Sequence, residues 1–133
     1  MLTKTNELTG AALDWAVALA QGATNLKHDT VASWWFVLEG KDRTLSKGWS
    51  ASQSYNPSTN WAQGGVLIER EKITIGYERY GAQGGETWDA VKKAFDDTVL
   101  WLEYAPTPLI AAMRCLVASR LGDDVEIPEE LCK

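Results

Sequence analysis

Thr107-Pro108-Leu109-Ile110-Ala111-Ala112-Met113-Arg114-Cys115-Leu116-Val117-Ala118-Ser119-Arg120-Leu121-Gly122 is the stretch on which the fold turns. Threonine is a good N-cap, and proline suits the first helical position, where its missing N–H costs nothing. Leu109, Ala112, Met113, Leu116 and Val117 then recur at helical spacing, and Gly122 supplies the stop. The spacing predicts a helix over 108–121, with Arg114 and Arg120 off the apolar stripe.

Working outward, a second helix is expected over 10–21. Thr9 stands as its cap, Leu13, Ala16, Val17 and Ala20 form its stripe, and Gly22 ends it. Residues 22–29 read as a polar connection holding the single histidine, His28. Residues 30–38, rich in β-branched and aromatic side chains, read as a strand. Residues 40–54 read as a loop or irregular edge, with Trp49 in the middle. Val66 to Glu71 fits a short helix or the start of a strand, the helix being favoured, and an alternating strand follows over 73–77. Residues 80–86 form a glycine-rich turn. Residues 87–95 fit a helix capped by Thr87 or a strand, and 98–104 has β character, though its apolar density also fits a helix. The acidic tail reads as one extended segment and a turn. Two main helices on a small, mostly antiparallel sheet make the chain α+β, one domain over 1–133.

Composition bounds the function. Of 133 residues, 45% are hydrophobic and 23% charged, as in soluble globular proteins. The net charge of −5 argues against long nucleic acids, which require a basic stripe. No polybasic or long apolar run points to a membrane. Cys115 and Cys132 form neither a disulfide framework nor a metal-ligand spacing, and the N-terminus lacks the apolar core of a signal peptide, so a cytoplasmic location is expected. A lone histidine and two distant cysteines are a poor basis for a nucleophilic triad or a zinc set. Glu69 and Glu71 flank Arg70. They could serve a metal-dependent phosphohydrolase or simply form a solvated ion-pair face.

The segment from Tyr55 to Gly65 is more specific. Asn56, Asn60 and Gln63 supply amides, Ser58 and Thr59 hydroxyls, and Trp61 an indole able to stack on a base, with Tyr55 or Trp49 beside it. If a helix opens at Val66, Gly64-Gly65 lies at its positive end, where backbone amides bind phosphate. The start of the Thr107 helix is a second anion-ready site, with Arg114 two turns further on. The competing reading is a loop whose polar groups satisfy its own backbone.

Asn56-Pro57-Ser58-Thr59-Asn60-Trp61-Ala62-Gln63-Gly64-Gly65 with Leu67-Ile68-Glu69-Arg70-Glu71 resembles a motif of the NinX-like proteins, small accessory proteins of lambdoid-type tailed phages. Pro106-Thr107-Pro108-Leu109-Ile110-Ala111-Ala112-Met113-Arg114-Cys115 is similar to their second signature, and 8–18 to their opening helix. Val66 stands where the family often has proline, and Ala105 where it often has glycine. The resemblance implies a non-structural phage protein acting in the bacterial cytoplasm. By analogy with other small phage proteins, sequestration of a nucleotide signal used in host defence is the expected activity. The expected ligand is small and phosphate-bearing, such as a nucleotide. Its contacts are Tyr55, Asn56, Ser58, Thr59, Asn60, Trp61, Gln63, Gly64, Gly65, Arg70, Thr107 and Arg114, with no cofactor, metal or catalytic residue. Homo-oligomerisation is compatible with this reading. A protein-interaction module with a tryptophan-rich surface is the alternative.

Overall fold

The C-terminal helix forms as its punctuation requires. In the computed structural model, which describes residues 1–29, 33–46, 50, 52–79 and 87–132, it spans Pro108–Leu121, and Thr107 Oγ1 accepts from the Ile110 amide at 3.2 Å. In chain order the elements are β1 (Leu2–Lys4), a 3₁₀ turn (Thr5–Glu7), α1 (Gly10–Ala20), β2 (Thr24–Asp29), β3 (Ser33–Leu38), β4 (Lys41–Thr44), α2 (Trp61–Glu71), β5 (Thr74–Glu78), β6 (Thr87–Lys93), β7 (Val99–Ala105), α3 (Pro108–Leu121), β8 (Asp124–Glu126) and a closing 3₁₀ turn (Glu129–Leu131).

The architecture is α+β. Where one small sheet was expected, the strands form three antiparallel sheets: β1-β8, β2-β3-β4 and β5-β6-β7. α3 is the central element. One side packs on β5-β6-β7 and another on α1, with α2 against it as well. Residues 111–118 of α3 are therefore buried all round, Arg114 included. This corrects its expected place off the buried face: a helix surrounded by neighbours has no solvent face in its middle. A single core unites α1, α3, Phe36, Leu38, Leu45, Tyr55, Leu67, Ala90, Val125 and Ile127.

Other differences have local causes. The polar sequence of residues 24–29 suggests a connection. They form the edge strand β2, which pairs with β3 and is exposed from Thr24 to His28, and an exposed edge needs no apolar alternation. Residues 41–44, read as loop or irregular edge, are the other edge of that sheet. Of the strand expected over 30–38, residues 30–32 lie outside the described residues, as do Trp49 and the turn over 80–86. Residues 87–93 form a strand, not a helix. Thr9 occupies the N-cap of α1, but its side chain makes no capping bond. No helix among the described residues is long and apolar enough to cross a membrane.

Candidate functional site

The Tyr55–Asn60 segment folds on its own backbone. Asn56 O accepts from the amides of Thr59 (3.1 Å) and Asn60 (2.9 Å). Thr59 Oγ1 donates to the same carbonyl at 3.4 Å. Asn60 then caps α2, its Oδ1 accepting from the Ala62 amide at 2.9 Å, while its carbonyl accepts from Gln63 N (3.1 Å) and Gly64 N (2.8 Å). The Gln63 side chain ties the loop to the helix: Oε1 accepts from Asn56 N and Nε2 donates to Ser54 O, both at 2.8 Å. Asn56, Thr59, Asn60 and Gln63 are thus engaged within the loop.

The helix therefore begins at Trp61, five residues before Val66. That overturns the expected role of Gly64-Gly65 at a positive helix end, since both lie inside the first turns and the Gly64 N–H is already bonded. Glycine at 64 answers a steric demand. A Cβ there would collide with Pro57 O and meet Leu109 Cδ2 at 2.6 Å, whereas at Gly65 the nearest atom is Trp61 Cε3 at 3.9 Å. Close backbone approach to Pro57 outweighs the poor helix propensity of glycine. Trp61, the first residue of α2, remains 55% exposed.

Beneath the loop lies a polar cluster that sequence reasoning only partly anticipated. Ser58 N donates to Asp14 Oδ1 at 2.9 Å, and both residues are buried. The buried Ser58 Oγ and Tyr55 hydroxyl have no hydrogen-bond partner among the described residues; neither do the indole N–H groups of Trp15 and Trp34. Tyr55 stands edge-on to Phe36 (centroids 5.5 Å apart), with the Arg43 guanidinium 5.1 Å over its ring. Burial drives the Tyr55 phenol well above its ordinary pKa, the Asp14 charge adds to this, and Arg43 opposes it. Asp14 escaped notice in the sequence. The available signal was a lone acid three residues before Val17, within reach of the apolar stripe of α1.

Three predicted cations or donors serve other ends. Arg114 donates from Nε to Leu8 O (2.8 Å) and from Nη1 to Tyr104 O (2.9 Å), fastening the N-terminal segment to β7. Burial lowers its pKa, against the pull of Glu103. Thr107 caps α3. Arg70 lies nine residues beyond Trp61, about 13 Å along the axis and half a turn away at 100° per residue. There it pairs with Glu39 (3.1 Å) and Gln21 (3.2 Å). Its charge acts on Tyr55, but it does not join Trp61. The structure thus brings Tyr55, Ser58 and Asp14 together, with Trp61 at the loop's exposed end.

Glu69 and Glu71 do not form a carboxylate pair, because positions two apart on a helix point to different sides. Glu69 is exposed. Glu71 is buried and gripped by the Arg120 fork (2.9 and 2.8 Å) and by Lys92 (3.5 Å), and these hold its pKa below the usual glutamate value. Among the described residues no three of His, Cys, Asp and Glu gather closely enough to hold a metal ion.

A family model described as "Bacteriophage P22, NinX" matches residues 4–120, which include α1, the 55–65 loop and nearly all of α3. No curated protein matches the chain.

Proposed function

The chain belongs to the NinX family of bacteriophage proteins, and on that premise we propose that this phage accessory protein binds a small, phosphate-bearing, nucleotide-like ligand beside the 55–61 loop and sequesters it without chemistry. One observation carries the reading: the Ser58 and Tyr55 hydroxyls, both buried at the loop, have no partner among the described residues. Buried polar groups in folded proteins nearly always have one, so each unpaired one calls for an explanation, and a bound ligand would supply it here. Asp14 and Arg43 stand against the same two residues, and Trp61 offers a stacking face at the rim. Stacking on such a ring contributes about 1–3 kcal/mol per base. The Gly64-Gly65 amides, Thr107 and Arg114 drop out of this reading, because their groups are engaged within the fold. Glu71, already held by two cations, is poorly placed to share a metal with Glu69, so binding is favoured over hydrolysis. On this reading the protein acts in the cytoplasm of the infected cell, where it would remove a host defence signal.

The test is to purify the protein from infected cells, denature it and identify the released small molecules by mass spectrometry. The wild type should release a nucleotide-like compound, chemically unchanged. Trp61→Ala should release none while melting as the wild type does. Tyr55→Phe should also lose the ligand while gaining about 1 kcal/mol of stability, because it deletes an unsatisfied buried hydroxyl. Full ligand recovery from both variants would remove the assignment.

A further inference from the structure

Four buried side-chain polar atoms lack a hydrogen-bond partner among the described residues: Trp15 Nε1, Trp34 Nε1, the Tyr55 hydroxyl and Ser58 Oγ. They are not scattered. Trp34 and Phe36, two apart on β3, share one face of the sheet, and Tyr55 stands edge-on to Phe36 there. The Tyr55 backbone runs beside β4, its amide donating to Thr44 O at 2.7 Å. α1 brings two residues to the same face. Trp15 is edge-on to Trp34, with centroids 6.3 Å apart and planes at 72°, and Asp14 accepts from the Ser58 amide. All four atoms thus lie in the layer between α1 and the β2-β3-β4 sheet. An edge-on pair can aim the N–H of one ring at the face of the other, but not both at once. The pairing of Trp15 with Trp34 therefore cannot account for both indoles.

The chemistry of this set is one-sided. An indole N–H only donates, an ionised carboxylate only accepts, and a hydroxyl does either. Asp14 is 3% exposed, and its charge helps to raise the Tyr55 phenol, so the carboxylate is felt across the cluster. A phosphate set into the layer would meet that carboxylate away from water, where like charges repel strongly. The edge of an uncharged nucleobase offers the complement instead: ring nitrogens or carbonyls that accept, beside N–H groups that donate. Resting on the reading that the ligand is nucleotide-like, we infer that its base, not its phosphate, is the buried end, held edge-first between α1 and the β2-β3-β4 sheet. Acceptors of the base take the Trp15 and Trp34 N–H groups, and a base N–H donates to Asp14, whose carboxylate has acceptor sites beyond the one used by Ser58 N. The Tyr55 and Ser58 hydroxyls adapt to what remains of the edge. The phosphate stays outside the layer.

Heteronuclear NMR of the full chain, isotope-labelled and made in uninfected cells, resolves one indole N–H peak per tryptophan. Trp15→Phe and Trp34→Phe assign the two that matter. Adenosine, guanosine, cytidine, uridine and inosine are titrated separately to millimolar concentration, and inorganic phosphate alongside them. At least one nucleoside should move both peaks, and phosphate should move neither. Asp14→Asn keeps an acceptor for the Ser58 amide but loses the charge, and should weaken that nucleoside on the order of 10-fold. Movement of both peaks by inorganic phosphate overturns the assignment of ends. Two peaks unmoved by every nucleoside, while protein from infected cells releases a nucleotide-like compound, overturn the buried base and spare the proposed ligand. If no such compound is released either, the ligand reading fails and takes this inference with it.

Discussion

Alanine at position 64 and alanine at position 65 should move stability in opposite directions, although the two glycines are adjacent on one helix. Replacing a helical glycine by alanine gains about 1 kcal/mol of propensity. At Gly65 little offsets that gain, because the new methyl meets only Trp61 Cε3 at 3.9 Å. At Gly64 the methyl would enter the space held by Pro57 O and Leu109 Cδ2. The carbonyl belongs to the backbone of a turn closed by three hydrogen bonds to Asn56 O, so it cannot swing aside cheaply. Overpacking of this kind costs about 1–3 kcal/mol, and more where backbone must shift. Net of propensity, Gly64→Ala should lose about 2 kcal/mol. For a chain of this size 1 kcal/mol moves Tm by about 4 °C, so thermal melts should place Gly64→Ala about 8 °C below the wild type and Gly65→Ala about 4 °C above it. A Gly64→Ala protein that melts at or above the wild-type temperature would refute the close-approach account of this loop.

Glu71→Gln should cost about 2 kcal/mol, because it leaves the Arg120 fork and Lys92 facing a neutral amide in a buried position. The folded-state pKa of Glu71 is depressed below 4.5, so its contribution is complete above the unfolded value and fades as pH falls through the folded one. Melting curves from neutral pH into acid should therefore converge for the two proteins, and a constant gap would contradict the linkage. Arg114→Met keeps the apolar stem but strands the carbonyls of Leu8 and Tyr104, a loss of about 3 kcal/mol in denaturant titrations. The same change removes the charge that pulls Glu103 down, so the already raised pKa of Glu103 should climb further in an NMR titration. Asn60→Ala deletes the cap of α2 at a cost of about 1 kcal/mol, and hydrogen exchange should localise the fraying to its first turn.

The parts legible in the sequence were those whose punctuation and period agree. α3 has Thr107 as its cap, Pro108 as its first residue and Gly122 after it, and its ends fell where expected. α1 and β5 were likewise clear. The start of α2 was hidden because Gly64-Gly65 looks like a breaker. Only the tertiary contact with Pro57 and Leu109 shows why a glycine belongs inside a helix there. β2 was hidden by its polarity, and the burial of Arg114 by the number of neighbours around α3, which no period reveals. For the candidate site, the sequence singled out the 55–65 segment, while the bonding of its individual groups was not legible there. Amides that read as ligand donors close the loop on itself, and the unpaired hydroxyls of Tyr55 and Ser58 stand out only once their surroundings are known.

The β1–β8 ribbon pairs Leu2 with Glu126, Thr3 with Val125 and Lys4 with Asp124, and the Met1 amino group reaches Ile127 O at 2.7 Å. During synthesis β1 therefore has no mate until Asp124–Glu126 have left the ribosome. At about 5–20 residues per second, that wait is about 6 to 24 s. The separation also belongs to the long-range contacts that slow folding. A nascent chain stalled before residue 124 would keep β1 unpaired, and completion of the ribbon should lower its sensitivity to proteases. Protease sensitivity of ribosome-bound chains of increasing length should fall sharply once that strand emerges.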